Sequence, residues 1–152
     1  MTKEQIKKKF PAYMESIELP ECAKEQEITV YRACRTGKIE KDSFLNTYEE
    51  NGNQILNHPG LEENDPQHFS MSTYAKVKEL KRFCSTNQKK YQPPYLLAKG
   101  ITKGICGVSC FTNEWKKKKG SHVDWWLYED TAPWEYFEEV DYDEERNIQN
   151  KQ

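Results

Sequence analysis

Three short segments of this sequence combine the residue types of a buried β-strand with polar side chains capable of chemistry. They are Val30-Tyr31-Arg32-Ala33, Phe69-Ser70-Met71-Ser72-Thr73 and His122-Val123-Asp124-Trp125-Trp126. β-Branched and aromatic residues favour strands, and a polar group inside a buried strand is costly unless it finds a partner. We therefore expect the three segments to converge, so that their polar side chains meet at one ligand.

The remaining strand-type segments set the expected fold class. We predict strands over residues 28–34, 67–71, 95–101, 105–111 and 122–128, and a last strand or aromatic clamp over 134–140. Helical patterns are concentrated in the first half of the chain. This pattern therefore predicts a single α+β domain over residues 1–152, with N-terminal helices and a mainly antiparallel sheet. From about residue 141 to 152 we expect a frayed acidic tail.

Helical periodicity predicts three helices. The first covers residues 2–18, and Pro11 within it predicts either a kink, because proline removes an interior hydrogen bond, or a second short helix with Pro11 in its first turn. A short second helix is predicted over residues 44–50. A third, about twelve residues long, is predicted to begin with Ser72 or Thr73 as its cap. The buried face of this third helix is predicted to be Tyr74, Val77, Leu80 and Cys84.

Charge is concentrated at the C-terminal end. Residues 121–152 hold ten acidic and two basic side chains, a net charge of −8, in a chain whose total is −2. Negative charge repels phosphates, so this segment disfavours nucleic acid. It is consistent with a solvated end segment or with docking on a basic partner surface.

The cysteines and the hydropathy pattern predict the cellular compartment of the protein. There are five cysteines, an odd number, and none has the Cys-x-x-Cys spacing of a structural zinc site. We expect reduced, mostly buried cysteines and no metal site. No apolar run approaches the roughly 18–20 residues that span a membrane, and the first residues lack the apolar core of a signal peptide. The sequence thus predicts a cytoplasmic protein that does not enter the membrane.

The order and spacing of the three polar segments resemble those of the Arg–Ser–Glu class of ADP-ribosyltransferases, over roughly residues 28–140. That family has a Tyr-Arg strand, a Phe-x-Ser-Thr-Ser-like strand and a Glu-x-Glu element that leads into an apolar strand. The matching elements here are Tyr31-Arg32, Phe69–Thr73 and His122-Val123-Asp124. The resemblance implies a split-sheet domain that binds NAD or a related nucleotide and transfers ADP-ribose to a protein or small acceptor.

The resemblance also implies roles for residues that would hold the cofactor. Tyr31 and Arg32 would contact the NAD phosphates or ribose, where a guanidinium offers two parallel donors. Ser70 and Thr73 would position the ribose next to nicotinamide, together with Ser72, because hydroxyls both donate and accept hydrogen bonds.

The catalytic residues implied by the resemblance are Asp124, Ser72 and His122. Asp124 would take the place of the catalytic glutamate and stabilise positive charge on the sugar as the bond to nicotinamide breaks. Aspartate is one methylene shorter than glutamate, which displaces the carboxylate by about 1 Å in a site that depends on positioning. His122 replaces the first glutamate, which in the family helps to select the acceptor.

Each of these residues also has a structural interpretation. Arg32 and Asp124 can form an ion pair between strands. Ser72 or Thr73 can serve as a helix cap, and His122 can be an ordinary turn residue. The sequence alone leaves these alternatives open.

A second hypothesis is a non-enzymatic protein that binds and modulates a partner. In composition the chain resembles small bacterial or phage accessory proteins, including inhibitors of host factors. The acidic, aromatic C-terminal third would then dock on the partner, because aromatic residues form interface hot spots and charge speeds encounter. The candidate contact residues are Trp134, Tyr136, Phe137, Glu138 and Glu139.

Overall fold

The computed structural model describes residues 8–55, 57, 60–87, 91 and 95–151. Within them, six strands form one antiparallel sheet in the order β4-β5-β2-β1-β3-β6. The strands are β1 Thr29–Cys34, β2 Met71–Tyr74, β3 Leu96–Ile101, β4 Gly107–Phe111, β5 His122–Leu127 and β6 Phe137–Glu139. The α-helices are α1 Thr47–Glu50, α2 Val77–Thr86 and α3 Tyr142–Asn150. The predicted α+β class with an antiparallel sheet is confirmed.

The two faces of the sheet are covered differently. One face carries a continuous apolar cluster around Trp125. The opposite face carries two separate clusters, one under α2 and one around Trp126. Ser72 pairs with Asp124 and Tyr74 with His122, and the alternation of strand side chains puts all four on this second face. A polar strip therefore separates the two apolar clusters.

A fork opens in the sheet between β1 and β2. Among the described residues the two strands share one register pair, Tyr31 with Tyr74, whereas β1 pairs with β3 along its whole length. The guanidinium of Arg32 occupies the fork, where Nη1 donates to the Ser72 carbonyl at 2.8 Å and Nε donates to the Ser43 carbonyl at 3.0 Å. These side-chain bonds satisfy carbonyls near the point where the ladder stops.

The C-terminal residues form a helix that is anchored to the sheet, so the predicted frayed tail is wrong. The Asp141 side chain accepts a hydrogen bond from the Glu144 N–H and caps α3. Glu145 is buried and accepts from the Tyr31 hydroxyl at 2.7 Å, and Lys99 pairs with it at 2.9 Å. Burial favours a higher pKa for Glu145, but the Tyr31 and Lys99 donors outweigh it and hold this pKa below its ordinary value.

The predicted cap of the helix after β2 is also wrong. Ser72 and Thr73 lie inside β2, and α2 begins at Val77. The Val77 N–H instead donates to the side chain of Gln149 in α3, at 2.8 Å. This partner is distant in sequence, so no local pattern could show it. Val77, Leu80 and Cys84 are buried, as the periodicity predicts.

The expected N-terminal helix differs from the structure where it can be compared. Residues 1–7 of that prediction lie outside the described residues, and residues 8–18 contain a single-turn 3-10 helix at Ala12–Met14. Met14 packs against Trp126, so tertiary contacts override the helical periodicity of this segment. None of the helices in the described parts of the chain is long and apolar enough to cross a membrane.

Two further elements are shorter or of another type than predicted. Within 44–50 the α-helix is α1 alone, which begins after Asn46 because this side chain accepts from the Glu49 N–H in a capping box. The strand predicted over 67–71 is a 3-10 helix at Pro66–Phe69, followed by β2. Asp65 caps that turn and Pro66 starts it, which is a helix-start signal that outweighs the strand-like composition.

Candidate functional site

An open cleft of about 890 Å³ lies over the polar strip of the sheet. Its floor is formed by β2 and β5, and its walls by α2, by α1 and by the segment between β4 and β5. Side chains from each element reach it, among them Ser72, Tyr74, His122, Phe83, Glu50 and Thr112. The cleft thus collects residues from two of the three segments that carry the family resemblance.

The Asp124 side chain lies on the same face of the sheet as the cleft, but it is covered by Thr112 and Trp115 and is fully buried. Its Oδ1 accepts from Ser70 Oγ at 2.7 Å and from Gln67 Nε2 at 3.3 Å. Its Oδ2 accepts from Thr112 Oγ1 at 2.7 Å and from Trp115 Nε1 at 3.2 Å. A carboxylate has about four acceptor positions, so protein donors already use the full capacity of Asp124. A ligand therefore meets this charge through the surrounding hydroxyls.

His122 is the part of this network that reaches the cleft. Its side chain is 20% exposed, and its Nδ1 lies 2.5 Å from Thr112 Oγ1 and 3.7 Å from Asp124 Oδ1. The ring also packs edge-on against Tyr74, with centroids 5.0 Å apart. Burial lowers the pKa of His122 from its ordinary value and nearby Lys118 and Arg32 act in the same direction, against the opposite effect of Asp124.

Arg32 is a structural residue that donates four hydrogen bonds to other groups of the protein. Its side chain is 2% exposed, and besides the carbonyls in the fork it pairs with Glu50 at 3.1 Å. Its Nη2 also donates to the Leu45 carbonyl. The ion pair of Arg32 is therefore made with Glu50 of α1 and not with Asp124, and Glu50 in turn lines the cleft. Arg32 shapes the wall of the cleft from behind.

The other predicted cofactor residues are also placed behind the surface of the cleft. Ser70 is fully buried and its hydroxyl is bonded to Asp124. Thr73 points to the opposite face of β2, where it donates to the Val123 carbonyl at 3.0 Å. Tyr31 is buried under α2 and bonded to Glu145. Of the seven predicted site residues, Ser72 and His122 line the cleft.

Lysines of the β4–β5 connection form the rim of the cleft. Lys117, Lys118 and Lys119 line the cleft and are exposed. Lys116 is fixed at the base of the rim by Asp65 and Gln67, each 2.8 Å from its Nζ. The four consecutive lysines were visible in the sequence, but their position at the mouth of a cleft depends on the β4–β5 connection.

The proposed partner-binding residues lie at the far edge of the sheet. Phe137 is 8% exposed and stacks near Trp125 in the core, so it is not available as a surface contact. Trp134 is partly buried against the same core, while Tyr136 is 38% exposed. Glu138 and Glu139 are exposed on β6. Tyr136, Glu138 and Glu139 therefore remain as a surface at this edge.

The part of the chain that the structure describes contains no cluster of potential metal ligands. No group of three or more His, Cys, Asp or Glu side chains there is arranged to hold an ion, and His58 lies outside the described residues. All five cysteines are free thiols. Burial raises the pKa of Cys34 and of Cys106 to about 11, so these two thiols are weak nucleophiles at neutral pH.

Scans against protein-family models, curated proteins and solved structures found no match to this chain.

Proposed function

We propose that this chain is a diverged ADP-ribosyltransferase-like domain that binds NAD or a related nucleotide in the cleft and transfers ADP-ribose to a protein or small acceptor. One observation carries the proposal. Ser72 and His122, which belong to two motifs far apart in sequence, line the same cleft with Asp124 buried next to them. The third motif residue, Arg32, supports the adjoining wall through Glu50.

The size and chemistry of the cleft suit a dinucleotide. Ligand sites occupy about 300–1,000 Å³, and this cleft has about 890 Å³. The exposed lysines of the rim offer positive charge to phosphates. The rings of Tyr74 and Phe83, whose centroids are 5.7 Å apart, present aromatic surface on the cleft wall, on which a base can stack. Phosphate binding is thereby assigned to the lysines and not to Arg32.

The buried carboxylate gives the cleft the charge that ribosyl transfer needs. Positive charge develops on the ribose as nicotinamide leaves, and a fixed negative charge in a water-poor environment stabilises it. Asp124 supplies that charge from behind Ser70 and Thr112, whose hydroxyls are oriented by it. Aspartate is shorter than the glutamate of the family, which is consistent with a carboxylate that lies below the surface of the cleft.

Calorimetric titration with NAD tests the proposal. We expect the intact chain to bind NAD, and the triple variant Lys117→Ala, Lys118→Ala, Lys119→Ala to bind it about tenfold more weakly, because an exposed charge pair contributes up to about 1 kcal/mol. Raising the salt concentration should weaken binding to the intact chain more than to the variant, because salt screens exposed charges.

The matched control removes three exposed lysines elsewhere, Lys9→Ala, Lys24→Ala and Lys38→Ala. This control has the same net charge as the rim variant, so it should bind NAD as the intact chain does. No heat with NAD, ADP-ribose or nicotinamide mononucleotide would refute the proposal. Equal weakening by both triple variants would show that net charge and not the rim is responsible.

A second candidate function is supported by the edge of the sheet. In the described residues β6 pairs with β3 alone, and its exposed side chains, Glu138 and Glu139, are both acidic. An unpaired strand edge accepts a further strand, and the acidic side chains favour a basic one. We infer that a partner protein with a lysine- or arginine-rich strand is the alternative ligand of this domain.

Charge reversal at this edge tests the second candidate. We expect a partner captured from a bacterial lysate by the intact chain to be lost with Glu138→Lys/Glu139→Lys and retained with Glu15→Lys/Glu18→Lys, a control with the same charge change. Truncation of the C-terminal third is not a usable test, because it would remove β6 and the Glu145 partner of Tyr31. Capture that is unaffected by the edge variant would argue against this surface.

A further inference from the structure

A single hydroxyl connects His122 to the buried Asp124. Thr112 Oγ1 lies 2.5 Å from His122 Nδ1 and 2.7 Å from Asp124 Oδ2. A hydroxyl carries one hydrogen, and a carboxylate oxygen has none of its own to give. Thr112 therefore donates to Asp124, and its oxygen accepts a hydrogen bond from His122. This arrangement requires the hydrogen of His122 to be on Nδ1.

The other ring nitrogen is left for the cleft. A neutral imidazole with its hydrogen on Nδ1 has an unprotonated Nε2, which is an acceptor. No described residue is hydrogen-bonded to Nε2, and the partly exposed ring lines the cleft. Burial lowers the pKa of His122 from its ordinary value, which favours the neutral ring and leaves the Nε2 lone pair available to accept a proton.

We propose that His122 is the proton-accepting catalytic residue of the cleft, with Thr112 and Asp124 as its positioning residues, and that the group it activates is a hydroxyl of the acceptor or a water molecule. This inference rests on the proposed function. In the step it describes, the hydroxyl oxygen bonds to the anomeric carbon of the ribose and its proton passes to Nε2. The bond to nicotinamide breaks, and its electron pair leaves with the nicotinamide nitrogen, which becomes neutral.

The assignment separates the roles of the two motif residues. Asp124 has no free acceptor position, so it acts on the ligand through Thr112 and His122. The His122 ring is held by the hydrogen bond between its Nδ1 and Thr112 and by its edge-on contact with the Tyr74 ring. A general base needs a fixed ring orientation of this kind, because proton transfer depends on geometry as well as on pKa.

The charges around His122 come from every element packed on it. Asp124 lies on the same strand, while Lys116 and Lys118 lie on the β4–β5 connection and Arg32 on β1. Glu79 of α2 bonds to the backbone of Ser121 beside it. The three cations favour the neutral ring and the acids oppose them. The neutral, active form of His122 is therefore present above its titration midpoint, so activity should rise as pH increases through this midpoint below 6.5.

Nuclear magnetic resonance of nitrogen-15-labelled histidine tests the tautomer without any ligand. In the full chain at pH 7.5 we expect His122, identified by its absence in His122→Gln, to carry its hydrogen on Nδ1. Thr112→Val should abolish this preference, because it removes the hydroxyl at nearly constant volume. Ser70→Ala removes a different donor to Asp124 and should leave the tautomer unchanged. Hydrogen on Nε2 in the intact chain would overturn the proposal, even if Thr112→Val does not fold.

Nicotinamide release from NAD tests the catalytic step. We expect His122→Gln to reduce the rate at least about 100-fold while the calorimetric Kd for NAD changes less than about threefold. The rate of the intact chain should rise with pH at the same midpoint as the resonance titration. NAD that binds but is not cleaved, or that His122→Gln cleaves at the original rate, would overturn the role of His122. Failure to bind NAD would instead refute the proposed function, while the tautomer is judged by its own spectrum.

Discussion

Replacing Arg32 with methionine is expected to lower the free energy of unfolding by about 3–5 kcal/mol, because it removes a buried cation from the ion pair with Glu50 together with the donors to three backbone carbonyls. Arg32 donates to the carbonyls of Ser43, Leu45 and Ser72 and pairs with Glu50. Methionine fills a similar volume but provides no donor. The affected groups are buried, so water can replace the lost bonds only at further cost.

Urea unfolding followed by tryptophan fluorescence measures this loss. With about 2 kcal/mol of unfolding free energy lost per molar urea, the midpoint should fall by roughly 2 M. Arg35→Met is the matched control, since this half-exposed arginine contacts the same Glu50 at 3.4 Å and should cost below about 1 kcal/mol. Equal effects of the two substitutions would contradict a structural role for Arg32.

Replacing Asp124 with alanine is expected to cost a similar amount, about 3–5 kcal/mol. The carboxylate is the common acceptor of Ser70, Gln67, Thr112 and Trp115, and its removal takes this acceptor from all four donors, of which the Ser70 and Thr112 hydroxyls are buried. The substitution also breaks the connection to His122. Loss of activity in this variant therefore needs to be compared with its loss of stability.

The control for this prediction is Glu129→Ala, an exposed acid just beyond the end of β5, which should change stability by less than about 0.5 kcal/mol. Thermal and urea unfolding of both variants give the comparison. If Asp124→Ala proved as stable as Glu129→Ala, the four hydrogen bonds to the Asp124 carboxylate would contribute nothing to folding, which would contradict the prediction.

Strand composition predicted most of the sheet, because its signals are local. β1, β3, β4 and β5 all fall within segments rich in β-branched or aromatic residues, and the three polar segments do become neighbouring strands. Of the predicted α2 face, Val77, Leu80 and Cys84 are confirmed, whereas Tyr74 lies in β2. These predictions are correct for one reason, which is that burial of apolar side chains on one face of an element imposes the spacing of apolar residues that is visible in the sequence.

The partners of the polar residues could not be predicted, because they are distant in sequence. Arg32 is paired with Glu50, and Asp124 is surrounded by donors from the segments before β2 and after β4. The Val77 N–H at the start of α2 is satisfied by Gln149, near the other end of the chain. Such contacts depend on how the elements pack, so a residue type and its strand position are insufficient to separate a ligand contact from an internal one.

The fork at Arg32 makes the domain two three-stranded ribbons that meet at a seam. Among the residues that the structure describes, Tyr31 and Tyr74 form the one register pair across it, and the Arg32 guanidinium donates to the Ser72 carbonyl of β2. The same side chain holds α1, which forms one wall of the cleft through Glu50. A substitution at position 32 is therefore expected to alter the seam of the sheet and the α1 wall of the cleft together.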